Sequence, residues 1–268
     1  MIKIGKIVEG FYEKDTTLYF DPKQNAPSNY VDTSLGKRTE SSAFIPRLKT
    51  IKIDISNSST PKTVNIYSAY KKYSDVDDRP NILSTMKGLT DYNIDQNSFD
   101  KFMSRVGIFY ANFILRNSIP VDILMTPQSS HDIAIKLKND ILSRLSDKSI
   151  QSLDNAIMKD ISKLELDSKL MGNMPDDSQK KRAILAKFNK YKDGSVKFEL
   201  KKLPVPFRKY FVNWMTLNPR YESVVRGKNI ILIDDYLTTG TTIYVACKAL
   251  FEKYGVNAIT VFTITKPA

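Results

Sequence analysis

One stretch of this chain concentrates its chemistry: Ile230, Ile231, Leu232, Ile233, Asp234, Asp235, Tyr236, Leu237, Thr238, Thr239, Gly240, Thr241 and Thr242. Four consecutive aliphatics read as a strand buried on both faces. The strand ends in two acids, at the carboxyl edge where open α/β sheets bind their ligands. A hydroxyl-rich loop then runs into a helix predicted over residues 243–254 and stopped by Gly255. Backbone N–H groups at such a helix start wrap a phosphate, and the helix dipole favours its charge. Thr238, Thr239, Thr241 and Thr242 add hydroxyl donors, while Gly240 lets the backbone approach closely. Asp234 and Asp235 repel a phosphate, but they can accept hydrogen bonds from sugar hydroxyls or hold a metal through water. A phosphate cradle beside a diol acceptor describes a site for a phosphorylated ribose.

The elements around this stretch must hold it in place. Residues 228–233 and 258–264 read as strands on either side of the loop and helix. An earlier unit repeats the pattern. Val121 to Thr126 is a strand, Pro127 to His131 a polar turn, and Ile133, Leu137, Ile141 and Leu145 line one face of a helix. Before it, Ser98 caps a predicted helix whose Phe99, Phe102, Met103, Val106, Tyr110, Phe113 and Ile114 form a core-facing stripe. Two strand–loop–helix units predict an α/β domain with a parallel sheet over residues 98–268, interrupted by a polar, basic insertion at about 147–226. Residues 1–97 read as an amino-terminal β-rich extension. Strands are predicted at residues 2–7, 18–20, 51–55 and 64–67, with turn-rich stretches at 21–42 and 74–96.

The 230–242 segment resembles the 5-phosphoribosyl-1-pyrophosphate (PRPP) motif of the type I phosphoribosyltransferases: four aliphatics, two acids, two variable positions, then Thr-Thr-Gly-x-Thr. Tyr236 departs, because that position is usually aliphatic. The resemblance implies a type I phosphoribosyltransferase-like parallel sheet flanked by helices. It implies that Asp234 and Asp235 hold the ribose hydroxyls and that Thr238, Thr239, Gly240, Thr241 and Thr242 hold the 5′-phosphate. By position, Thr126, Pro127, Gln128, Ser129 and Ser130 match the family's pyrophosphate loop, although no glycine or basic residue occurs there. Mg²⁺ is implied as the cofactor accompanying PRPP, reached through the substrate. The implied activity is transfer of phosphoribosyl to a nitrogenous base with release of pyrophosphate. The family's flexible segment falls in the basic interval, where Arg182, Lys187 and Asn189 are candidates. In that arrangement the chain is closest in style to ComF-type competence proteins. The resemblance further implies that a hood over the base comes from the amino-terminal region or the insertion, since Ala268 follows the last strand closely.

Composition sets the outer bounds. The 268 residues suit one or two domains, and 41% hydrophobic against 26% charged is globular rather than disordered. One cysteine, Cys247, leaves no internal disulfide and no Cys-cluster zinc site; one histidine, His131, leaves no His-rich metal centre. Ser130 next to His131 is no catalytic pair, because adjacent residues rarely face each other usefully. No apolar run is long enough for a membrane helix, and Met1 to Ile7 alternates charge with aliphatic residues, so a cytoplasmic protein is expected. The net charge is +12, and nine of those charges lie between Lys180 and Lys209, where eleven basic residues face two acidic ones. That segment reads as a solvated face, as a loop closing over an anion, or as a patch for single-stranded nucleic acid. Phe188, Tyr191, Phe198, Phe207, Tyr210, Phe211 and Trp214 would then stack bases. The alternatives to catalysis are thus a non-catalytic module binding nucleotide or nucleic acid, or an assembly protein reusing the fold. A homo-oligomer is compatible with each.

Overall fold

Aliphatic runs that cannot turn either face to water become the inner strands of one sheet. The computed structural model describes residues 11–14, 17–20, 37–38, 44–45, 47–55, 60–72, 82–237 and 239–267. Its seven-stranded sheet contains β1 (Arg47–Ile53), β2 (Lys62–Lys72), β3 (Ile123–Pro127), β4 (Gln151–Lys159), β5 (Met215–Leu217), β6 (Asn229–Tyr236) and β7 (Ala258–Pro267). The spatial order is β5-β4-β3-β6-β7-β2-β1. The five inner strands are parallel, and β1 and β5 close the two edges antiparallel. The α/β architecture with a parallel sheet flanked by helices is therefore as the motif spacing implied.

Residues 230–233 of β6 are each at most 1% exposed. Ile231 and Ile233 pack with Phe102 of α1 (Gln96–Arg116) and with Leu137 and Ile141 of α2 (Ile133–Arg144). Ile230 and Leu232 pack instead with Ile243, Ala246, Cys247 and Leu250 of α4 (Thr241–Tyr254). Strand alternation thus sends successive side chains into two separate helical layers. Each buried aliphatic contributes about 1.5–3 kcal/mol relative to exposure.

Four features differ from the sequence reading. First, the sheet continues across residue 97: β2 pairs in parallel with β7, Ile66 opposite Val261 and Tyr67 opposite Phe262. Tyr110 of α1 fixes this junction; its hydroxyl lies 2.6 Å from the Thr263 carbonyl and 2.8 Å from that of Tyr67, and its ring stacks on Phe262. Second, β4 is a full sheet strand inside the stretch taken as insertion. Asn155 adopts φ 49° there, and the pairing with β3 shifts register between Met125 and Pro127. That irregularity breaks the alternation by which a strand is recognised. Third, α1 starts at Gln96, because Asp95 is its cap and accepts the Ser98 N–H at 2.8 Å; Ser98 is the capped residue, not the cap. Fourth, Lys138 of α2 is fully buried and bonds Ser152 and Asp154, fastening α2 to β4. The strand predicted at 2–7, and most of the stretch at 21–42, lie outside the described residues.

The basic interval is folded. Its helix α3 (Gln179–Lys192) is capped by Ser178 and turns Ile184 and Tyr191 into the core. Phe198, Tyr210, Phe211 and Trp214 are buried with them, Trp214 at 1% exposure with its indole N–H donated to the Phe211 carbonyl. Phe188 and Phe207 pack against the same cluster. These rings join the apolar cluster that Ile230, Leu232 and α4 form on one face of the sheet, under a lysine-rich exterior, so they are not surfaces on which bases could stack.

Candidate functional site

The chain leaves β3 through α2 for β4 on one side, and leaves β6 through α4 for β7 on the other. The two helices cover opposite faces of the sheet, so the carboxyl ends of β3 and β6 part and open a crevice. Residues 126–130 and 239–242, from the two loops singled out in the sequence, lie at this point.

Asp234 and Asp235 are the penultimate residues of β6, and alternation sends them to opposite faces. Asp235 is 8% exposed and forms an ion pair with Lys87. Asp234 is half-buried and accepts the Asp235 backbone N–H at 2.9 Å. Burial, and then the charge of Asp235, push the Asp234 carboxyl up to about 7; the hydrogen bond from Asp235 and the charge of Lys87 act the other way. Near neutral pH the Asp234 carboxyl is thus partly protonated, so it can donate a hydrogen bond as well as accept one.

Beyond the acids, Leu237 is buried and donates its N–H to the Thr265 carbonyl at 3.0 Å, pinning the loop's start to β7. Thr238 lies outside the described residues. Thr239 and Thr241 join their hydroxyls at 2.9 Å. Gly240 has φ +84° and begins α4, its carbonyl accepting the first helical bond from Tyr244 at 2.8 Å. Any residue with a Cβ is strained at that φ. Among the described residues the Thr241 N–H donates to the Thr239 hydroxyl at 3.4 Å, while the glycine at the cap position offers α4 no capping side chain, so the N–H groups that follow, that of Thr242 included, are open to a ligand.

The other loop is built differently. Thr126 is fully buried, and its hydroxyl accepts the Asn155 N–H at 3.0 Å, so it holds the β4 irregularity rather than facing the crevice. Gln128, Ser129 and Ser130 are exposed, and Ser129 accepts the His131 N–H at 3.2 Å. Behind them lies a cavity of about 250 Å³ between Ser130 and His131, Phe99 of α1, and Met86, the last residue of the short helix Ile82–Met86. Lys136 borders it, its ammonium 4.6 Å from the centre of the Phe99 ring.

Arg182 and Asn189 are exposed on α3, and Lys187 is half-buried. Cys247 is buried, which raises its thiol well above the usual range. Among the described residues no cluster of three or more His, Cys, Asp or Glu side chains could cage a metal, and no helix is long and apolar enough to cross a membrane. Two residues were missed from the sequence. Lys87 meets Asp235, and Lys49 of β1 brings its ammonium to 3.9 Å from where a Cβ on Gly240 would sit. Both come from segments far from the motif in sequence, so no local pattern announces them.

Residues 165–268 match the family model described as phosphoribosyl transferase domain. Among solved structures, a purine phosphoribosyltransferase from Pyrococcus horikoshii Ot3 aligns with 62% of this chain and 83% of its own, at 11% identity and a TM-score of 0.31. No curated protein matches the chain.

Proposed function

We propose, from the match of residues 165–268 to the phosphoribosyl transferase domain model, that this protein binds PRPP and transfers its phosphoribosyl group to a nitrogenous base. The observation that supports this most is the junction of β6 with α4. Asp234 and Asp235 sit at the crevice, and five residues after Asp235 comes the left-handed Gly240, from which α4 starts without a capping side chain of its own.

In this reading Asp234 and Asp235 accept the 2′- and 3′-hydroxyls of the ribose. Backbone N–H groups and hydroxyls of residues 238–242 hold the 5′-phosphate, and Gln128, Ser129 and Ser130 face the pyrophosphate. The base nitrogen attacks the anomeric carbon, the bond from that carbon to pyrophosphate oxygen breaks with its electron pair, and the nitrogen loses its proton. Positive charge develops on the sugar beside the acid pair, which stabilises it electrostatically. Holding both ends of the ribose phosphate fixes the anomeric carbon for in-line attack. Mg²⁺ keeps much of its water and is held largely by substrate oxygens, so Asp234 and Asp235 would meet it through water and the ribose hydroxyls. When bound, it would offset the charge of the leaving pyrophosphate. Arg182, Lys187 and Asn189 remain proposed contacts of the interval that approaches the reacting centre.

The test is calorimetric titration of PRPP with Mg²⁺ into the wild type and into Asp234→Asn/Asp235→Asn. Micromolar binding that the double variant loses supports the ribose-phosphate site, and a pyrophosphate-release screen against bases then identifies the acceptor. Binding without release for any base makes the protein a non-catalytic module, the ComF-like alternative. No binding to the wild type ends the reading. Oligonucleotide binding by the basic exterior would show a steep salt dependence without reliance on the buried aromatics.

A further inference from the structure

The loop at 239–242 contains neither lysine nor arginine, and neither does the loop at 128–131. Yet PRPP presents phosphate at both ends of its ribose, and the two acids of β6 add negative charge between them. An uncompensated cluster of that kind is costly in a partly buried crevice. The structure shows where compensation lies. Lys49, on the edge strand β1, extends its ammonium over the start of α4, close to Gly240. Lys87 reaches Asp235 from the opposite direction, and its neighbour Met86 lines the same cavity as Ser130 and His131. Both side chains belong to residues before 98, outside the 165–268 domain match.

We propose that Lys49 and Lys87 are the cations of the ligand site, Lys49 for the 5′-phosphate and Lys87 for the pyrophosphate, so that the amino-terminal strands complete a site whose backbone cradle lies in the carboxy-terminal domain. The inference rests on the PRPP reading above. An ammonium has three donors, so Lys87 can keep Asp235 while turning a second N–H to a pyrophosphate oxygen. The ion pair seen without ligand thereby holds the lysine ready at the anomeric side of the ribose. Lys49 adds a point charge to a cradle that otherwise relies on backbone N–H groups and hydroxyls.

The two lysines predict a double dissociation, measured by calorimetry with ribose 5-phosphate and with PRPP, both with Mg²⁺. Lys49→Met weakens both ligands at least about tenfold, since both have the 5′-phosphate. Lys87→Met leaves Asp235 without its ion-pair partner and so weakens both ligands through their shared diol, but it weakens PRPP at least about tenfold more than ribose 5-phosphate, since only PRPP carries pyrophosphate. Residual ribose 5-phosphate binding also shows that Lys87→Met is folded, and a thermal melt does the same for Lys49→Met. Equal losses for both ligands in Lys87→Met, or unchanged affinities in either folded variant, overturn the lysine assignment alone. Wild-type protein that binds neither ligand overturns the ribose-phosphate site itself, and the lysine assignment with it.

Discussion

Two loops share one edge of one sheet, yet they are built on opposite plans. The loop after β6 is assembled by its own sequence. Acids end the strand, Leu237 anchors the turn to β7, Gly240 takes the left-handed conformation, and α4 begins without a capping side chain of its own. The loop after β3 has little of its own. Thr126 is consumed in the core, residues 128–130 are exposed hydroxyls and an amide, and the cation that borders the cavity behind them, Lys136, belongs to the helix that follows. A backbone cradle needs residues in fixed order, so it is written locally. Charge can be brought in by any long side chain that the fold places within reach.

The largest effect that would break this contrast lies with the acids. Replacing both Asp234 and Asp235 by Asn is expected to cost at least about 100-fold in PRPP affinity, about 2.7 kcal/mol or more, by calorimetry. A loss under about threefold would mean that the acid pair is not the diol acceptor.

Next comes Gly240→Val. Forcing a β-branched residue to φ +84° is expected to cost about 1–2 kcal/mol. The site would show it as about tenfold weaker ribose 5-phosphate binding. Normal affinity in the variant would show that the cradle does not use this turn.

Thr126→Val sharpens the other side of the comparison. It leaves the Asn155 N–H without its acceptor, and is expected to lower unfolding free energy by about 1–2 kcal/mol in denaturant titration. Ligand affinity should not change. A specific loss of pyrophosphate binding at unchanged stability would return Thr126 to the ligand loop.

A pH slope completes the comparison. Asp234 is held at about 7 in the folded protein, above its value near 3.9 in an unfolded chain. The folded state therefore keeps a proton that the unfolded state releases, and stability falls as pH rises from about 4 to about 7, then levels. Asp234→Asn removes this slope, so its melting temperature should exceed the wild type's by a few degrees more at pH 8 than at pH 4. Ribose binding should move oppositely in the wild type, tightening as Asp234 ionises and becomes the better acceptor. A variant as steep as the wild type would place the titrating group elsewhere.

The fold was legible wherever one element holds its whole signal. The aliphatic run of β6, the helix stopped by Gly255 and the apolar faces of α1 and α2 each follow from neighbours within one or two turns. β4 was not, because Asn155 at φ 49° and the register shift erase the alternation that marks a strand. The aromatics among the lysines were ambiguous, since a ring that stacks a base and a ring that fills a core look alike in sequence. Burial of Phe211 and Trp214 separated the two.

By itself, then, the sequence determined the strand–acid–threonine–glycine–helix order, because steric limits on backbone angles and the spacing of hydroxyls act between adjacent residues. Only the tertiary structure decided that β2 lies beside β7, that Thr126 turns inward, and that Lys49 arrives at Gly240 and Lys87 at Asp235. Those contacts join residues 29 positions apart at Thr126 and Asn155, and more than a hundred apart in the other cases. They follow from which buried faces pack together, a choice that no local window of the chain contains.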